Sequence, residues 1–142
     1  MPQITLKYSA NITDVEFDPI FQKIHNVLSE ITDIKTCKSR AQKLKTFRIG
    51  EGENKNAIVH LEIALLPGRS EEIKEKMGLK IIEILNESFL PIFERLGLDC
   101  NPTIEIKTLQ NYFISNMNLF KLSKGITPGI KNLEATPLKA KL

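Results

Sequence analysis

The sequence predicts an α+β fold: two β-α-β units that form one four-stranded sheet with two helices on one face, followed by a C-terminal arm. Period-two alternation of apolar and polar residues marks strands at 3–8, 57–66 and 102–109. Apolar residues at helical spacing mark two long segments between strands. The order strand–helix–strand then occurs twice at matching length, over 3–49 and 57–109. A right-handed crossover in each unit pairs its two strands in parallel. The expected division is a domain at 1–110 and an arm at 111–142.

In the first strand Ile4, Leu6 and Tyr8 alternate with Gln3, Thr5 and Lys7. A loop from Ser9 to Asp14 follows. Asp18 before Pro19 signals a helix start, because the missing proline N–H costs nothing at the first helical position. Ile20, Phe21, Ile24, Val27, Leu28 and Ile31 then form one helical face, with His25 off the stripe and read as a surface residue. Residues 38–49 read as a strand with a polar face, and Gly50 to Asn54 as a turn. The third strand is the most apolar, with Val59, Leu61, Ile63 and Leu65 opposite Ile58, His60, Glu62 and Ala64. Pro67-Gly68 ends it. Ser70 caps the next helix, Glu71 and Glu72 suit its positive end, and Gly97 stops it. Pro91 is expected to break or kink that helix before its last turn. Ile104 and Ile106 alternate with Glu105 and Lys107 in the last strand. From Gln110 onward there is no clear period, apart from a short helix expected near Phe113 to Leu122.

Composition narrows the function classes. A chain of 142 residues that is 42% apolar and 26% charged suits one globular domain with a real core. No apolar run reaches about 18 residues and no basic-then-apolar leader opens the chain, so a membrane partner is not expected and the cytoplasm is. Cys37 and Cys100 are too far apart for a metal motif or a disulfide framework. The net charge of +3 is uneven: residues 121–142 carry +4, leaving −1 for the first 120. The body is not basic, which argues against nucleic acid as a partner.

The chemistry-bearing stretch is the start. Pro2 is small enough for Met1 to be removed, leaving a free secondary amine on the end of a strand. An α-amino group titrates near about 7.7–8.0, and a proton carrier works best when its pKa lies near operating pH. Arginines are few: Arg40, Arg48, Arg69 and Arg95 against sixteen lysines. Arg69 follows Pro67-Gly68 and precedes a helix N-terminus, where N–H groups and a planar guanidinium suit a carboxylate. The plainer alternative for Arg69 is a surface ion pair. Arg40 opens the strand at the matching place in the first unit. A neutral amine beside fixed cations in an apolar pocket keeps its proton weakly, and the same cations stabilise a dienolate. No glycine-rich phosphate loop, serine elbow or histidine pair at ligand spacing competes, and His60 reads as structural. The uncovered sheet face, with Gln3, Thr5, Lys7, His60, Glu62, Glu105 and Lys107, is too polar for a dry core and suits the wet centre of a closed oligomer.

Pro2-Gln3-Ile4-Thr5-Leu6-Lys7-Tyr8-Ser9-Ala10-Asn11, Lys38-Ser39-Arg40, Phe47-Arg48-Ile49-Gly50-Glu51-Gly52 and the run from Ile58 to Leu66-Pro67-Gly68-Arg69-Ser70 resemble the 5-carboxymethyl-2-hydroxymuconate isomerases of the tautomerase superfamily. The resemblance spans about residues 2–110. It implies a cofactor-free homotrimer of double β-α-β subunits that ketonises a dienol diacid, with no metal. It makes Pro2 the catalytic acid/base and Arg69 a catalytic and substrate-binding cation. Where the family commonly shows Arg-Ser-Arg, this chain has Lys38-Ser39-Arg40, so the second cation is either catalytic Arg40 or substrate-binding Lys38. The small-molecule partner is thus an enol or 2-oxo acid. The alternatives are tautomerisation of another enol, such as an arylpyruvate, and a non-catalytic oligomeric binding protein on the same fold.

Overall fold

The computed structural model describes residues 2–127. Met1 and most of the lysine-rich arm, including Lys131, Lys139 and Lys141, lie outside the described residues. Two units divide the chain, Met1–Thr108 and Leu109–Leu142.

The first unit runs β1 (Gln3–Ser9), α1 (Phe17–Ile31), β2 (Lys38–Leu44), β3 (Val59–Leu65), α2 (Glu71–Leu96) and β4 (Thr103–Thr108). The sheet order is β2-β1-β3-β4. As expected, β1 and β2 are parallel, as are β3 and β4. The two halves join through an antiparallel β1–β3 pair, with Gln3 opposite Ala64 and Tyr8 opposite Val59. Alternate side chains leave a strand on opposite faces. Ile4, Leu6, Val59, Leu61, Ile63 and Leu65 therefore share one face and are buried against Ile20, Ile24 and Leu28 of α1 and Met77, Ile81, Leu85 and Phe89 of α2. Both helices cover that face.

Three local expectations change. The first concerns α1, whose N-cap is Glu16, so Pro19 is the third helical residue rather than the first. The first four helical N–H groups have no intrahelical partner, so proline still removes no bond there. The second concerns β2, which ends at Leu44 rather than Ile49 because its ladder with β1 ends at Ser9; the Ala10 N–H to Leu44 carbonyl bond closes it. The third concerns Pro91, which does not break α2: the helix continues to Leu96. Phe89 and Phe93 flank the proline, are both buried, and stack with centroids 5.6 Å apart. That packing outweighs one lost backbone bond on an exposed face. Elsewhere Ser70 caps α2 by accepting the Ile73 N–H, and Gly97 ends it at φ 67°, a conformation that favours glycine.

The second unit contains α3 (Met117–Ser123), capped by the Asn116 side chain accepting the Leu119 N–H. It starts later than the Phe113 expected from sequence.

Candidate active site

Topology brings both halves of the chain to Pro2. Because β1 and β3 are antiparallel, the start of β1 adjoins the end of β3, and Leu65 and Leu66 lie beside Pro2. Because β1 and β2 are parallel, the segment entering β2 adjoins it too, and the Lys38 N–H donates to the Pro2 carbonyl at 3.1 Å. Between these segments lies a cavity of about 280 Å³, lined by Pro2, Ile34, Lys35, Thr36, Leu65, Leu66 and Arg69. Pro2, Ile34 and Leu65 are buried; Arg69 is half-buried, and Lys35 and Thr36 are exposed. The cavity is apolar within and cationic towards solvent.

Arg69 reaches this cavity through the turn after β3. Gly68 at φ 113° occupies backbone space that other residues rarely adopt, and Ser70 begins α2 at once. Arg69 is therefore held between a strand end and a helix N-terminus. Among the described residues its side chain has neither ion pair nor hydrogen bond, so the surface-bridge alternative is not what places it. Pro2 and Arg69 share one cavity within a single chain.

The other two cation candidates stand elsewhere. Lys38 pairs with Gln3 and Arg40 with Thr5 across the parallel ladder, which puts both side chains on the open face. Pro2 has the parity of Ile4, on the helix-covered side. The Arg40 guanidinium donates to Thr5 Oγ1 at 3.2 Å and to Gln3 Oε1. Neither Lys38 nor Arg40 lines the Pro2 cavity of its own chain.

The open face carries the polar residues expected from the sequence, and here they form a charge network. Lys7 Nζ lies 2.8 Å from Glu62 Oε2, and Lys107 Nζ lies 3.3 Å from Glu62 Oε1. The Lys7 hydrogen bond holds the Glu62 carboxyl below its ordinary range, against the opposing effect of burial. His60 takes Thr103 Oγ1 at 2.7 Å on Nδ1 and turns Nε2 towards Glu105 at 3.6 Å. One possible ligand atom from each of His60, Glu62 and Glu105 thus lies within 4.8 Å of the others. The two lysines already neutralise those carboxylates, so the cluster is a satisfied ion network on the sheet face opposite to that of Pro2. His25 is half-buried and bonds Ser39 Oγ, joining α1 to β2 rather than facing solvent as expected. Burial raises the Cys37 and Cys100 thiols, which keeps both protonated at neutral pH and poor as nucleophiles.

Sequence reasoning missed Ile34, Lys35 and Thr36. The signal was available: in a parallel β-α-β unit, residues just before the second strand must lie beside those just before the first.

A family model described as 5-carboxymethyl-2-hydroxymuconate isomerase matches residues 2–120. The chain is 25% identical over 117 residues to the 5-carboxymethyl-2-hydroxymuconate Delta-isomerase of Escherichia coli, covering 75% of this chain and 93% of that protein. A solved 5-carboxymethyl-2-hydroxymuconate isomerase from Deinococcus radiodurans R1 is 27% identical, with a TM-score of 0.68 over 77% of this chain and 83% of the other. A solved 5-carboxymethyl-2-hydroxymuconate delta-isomerase at 18% identity shares the fold, with a TM-score of 0.71 over 92% of this chain and 96% of that one.

Proposed function

This chain belongs to the 5-carboxymethyl-2-hydroxymuconate isomerase family and is an isomerase of the tautomerase superfamily; on that premise we propose that it ketonises a dienol with two or more carboxylates, such as 5-carboxymethyl-2-hydroxymuconate, without a cofactor. The observation that carries the reading is the shared cavity of Pro2 and Arg69.

With Met1 removed, the Pro2 nitrogen is a secondary amine at the cavity that Arg69 also lines. Desolvation and like charge both disfavour its protonated form, which leaves it free to accept a proton. It takes the proton of the dienol hydroxyl, the oxygen electrons form the carbonyl, and the double bonds shift along the chain. The prolinium then returns one proton to carbon, so charge and electron count are unchanged over the cycle. Arg69 forks one substrate carboxylate and stabilises the dienolate between the two transfers. In a homotrimer a further cation, Arg40 or Lys38, comes from a neighbouring copy and adds to the stabilisation of the dienolate, since in its own chain each lies on the face away from Pro2. The paired charges of the open face then line the centre of the ring.

Intact mass combined with a dienol assay tests this. Protein that has lost Met1 should ketonise the dienol. A preparation that retains Met1, whose proline nitrogen is an amide, should be slower by roughly a hundredfold or more, the scale of general acid–base catalysis. Unchanged ketonisation by Pro2→Ala and Arg69→Ala would overturn the proposal and favour a binding role.

A further inference from the structure

We propose that Lys35 is the residue that selects a diacid, by holding the substrate carboxylate that Arg69 does not. This rests on the isomerase reading and adds a specificity-determining residue to the same site. Lys35 lines the cavity together with Pro2 and Arg69, on the loop between α1 and β2. That loop is fastened on both sides of it. The Ile34 N–H donates to Thr32 Oγ1 at 3.1 Å and the Ile34 carbonyl accepts Ser29 Oγ at 3.1 Å. On the other side the Lys38 N–H reaches the carbonyl of Pro2 itself. The Lys35 backbone is therefore placed relative to the reacting nitrogen rather than left on a free surface.

Its charge is available. Lys7, Lys55, Lys74 and Lys107 each engage a carboxylate, whereas Lys35 has neither ion pair nor side-chain hydrogen bond among the described residues. The two cations reach the cavity from different halves of the chain, Lys35 before β2 and Arg69 after β3. A ligand between them with an acid group at each end satisfies both, while a monocarboxylate satisfies only one. Guanidinium suits the carboxylate that needs fixed geometry at the reacting end. Ammonium acts as a point charge and tolerates a floppier distal group. No carboxylate of the described chain lines the cavity, so neither cation is neutralised before substrate arrives.

The test compares wild type, Lys35→Met and Lys35→Arg on a dienol diacid and on the enol of phenylpyruvate. Lys35→Met should raise KM for the diacid roughly tenfold, the scale of one partly screened charged contact, with phenylpyruvate turnover within about twofold of wild type. The diacid difference should shrink as salt is added, and Lys35→Arg should stay close to wild type. An unchanged diacid KM, or equal losses on both substrates, overturns the assignment. Calorimetric titration with muconate, an unreactive dicarboxylate, reads Lys35 apart from catalysis. If no enol is turned over by wild type, the isomerase reading fails, yet a tenfold weaker muconate affinity in Lys35→Met still supports the assignment; equal affinities overturn it.

Discussion

Replacing Arg69 separates chemistry from folding, because its side chain holds nothing else together. It is half-buried at the cavity and has no carboxylate or carbonyl partner among the described residues, while the turn geometry comes from Gly68 and the helix cap from Ser70. Arg69→Ala should therefore change stability by no more than about 0.5 kcal/mol, the usual range for a substitution without structural partners. Losing one donor to a developing oxyanion costs about 2.7–4 kcal/mol of barrier, so kcat should fall by roughly 10² to 10³. Arg69→Lys keeps the charge but gives up one of two parallel N–H···O bonds. At about 1.5–3 kcal/mol for a hydrogen bond to a charged group, it should lose roughly ten- to a hundredfold. Dienol ketonisation followed by ultraviolet absorbance, beside urea unfolding of the same three proteins, measures both quantities. Full activity in Arg69→Lys would show that no fork is needed. A stability loss above about 2 kcal/mol in Arg69→Ala would show that the residue is structural and the reasoning wrong.

Three further predictions concern the frame around the site. Glu62→Gln should lower stability by up to about 1 kcal/mol at pH 7 by removing the pair with Lys7. Because the folded Glu62 carboxyl titrates below its ordinary 4.5, that contribution is complete above 4.5 and is lost as pH falls through the lower folded value, so unfolding curves of the two proteins should converge in acid. Pro91→Ala should raise the urea midpoint by an amount equal to about 1–3 kcal/mol, since an exposed helical position regains a backbone bond; no gain would mean that neighbouring groups already satisfy the freed carbonyl. Leu85→Ala, at a fully buried position of α2, should cost about 2–5 kcal/mol in the same measurement, and a cost under about 1 kcal/mol would contradict the packing described.

Much of this molecule was legible from residue patterns. Alternation located β1, β3 and β4 because one face of each strand meets the core, as Ile4, Leu6, Val59, Leu61, Ile63 and Leu65 do. Ser70 and Gly97 bounded α2 correctly because caps are local chemistry. Pro91 does not end α2, because propensity says nothing of Phe89 and Phe93 packed beneath it. The end of β2 was misjudged because a strand lasts only as long as its neighbour, and β1 stops at Ser9.

The same division governs the site. Sequence alone singled out Pro2 and Arg69, each from its own local setting: a small residue after the initiator, and a cation in a glycine turn before a helix. Only tertiary structure decided that they share a cavity, that Lys38 and Arg40 turn to the other face, and that Lys35 lines the same cavity. Sixty-seven positions of chain separate Pro2 from Arg69. What joins them is the antiparallel β1–β3 ladder, made of backbone hydrogen bonds that any sequence can form, so no local pattern records which strands meet.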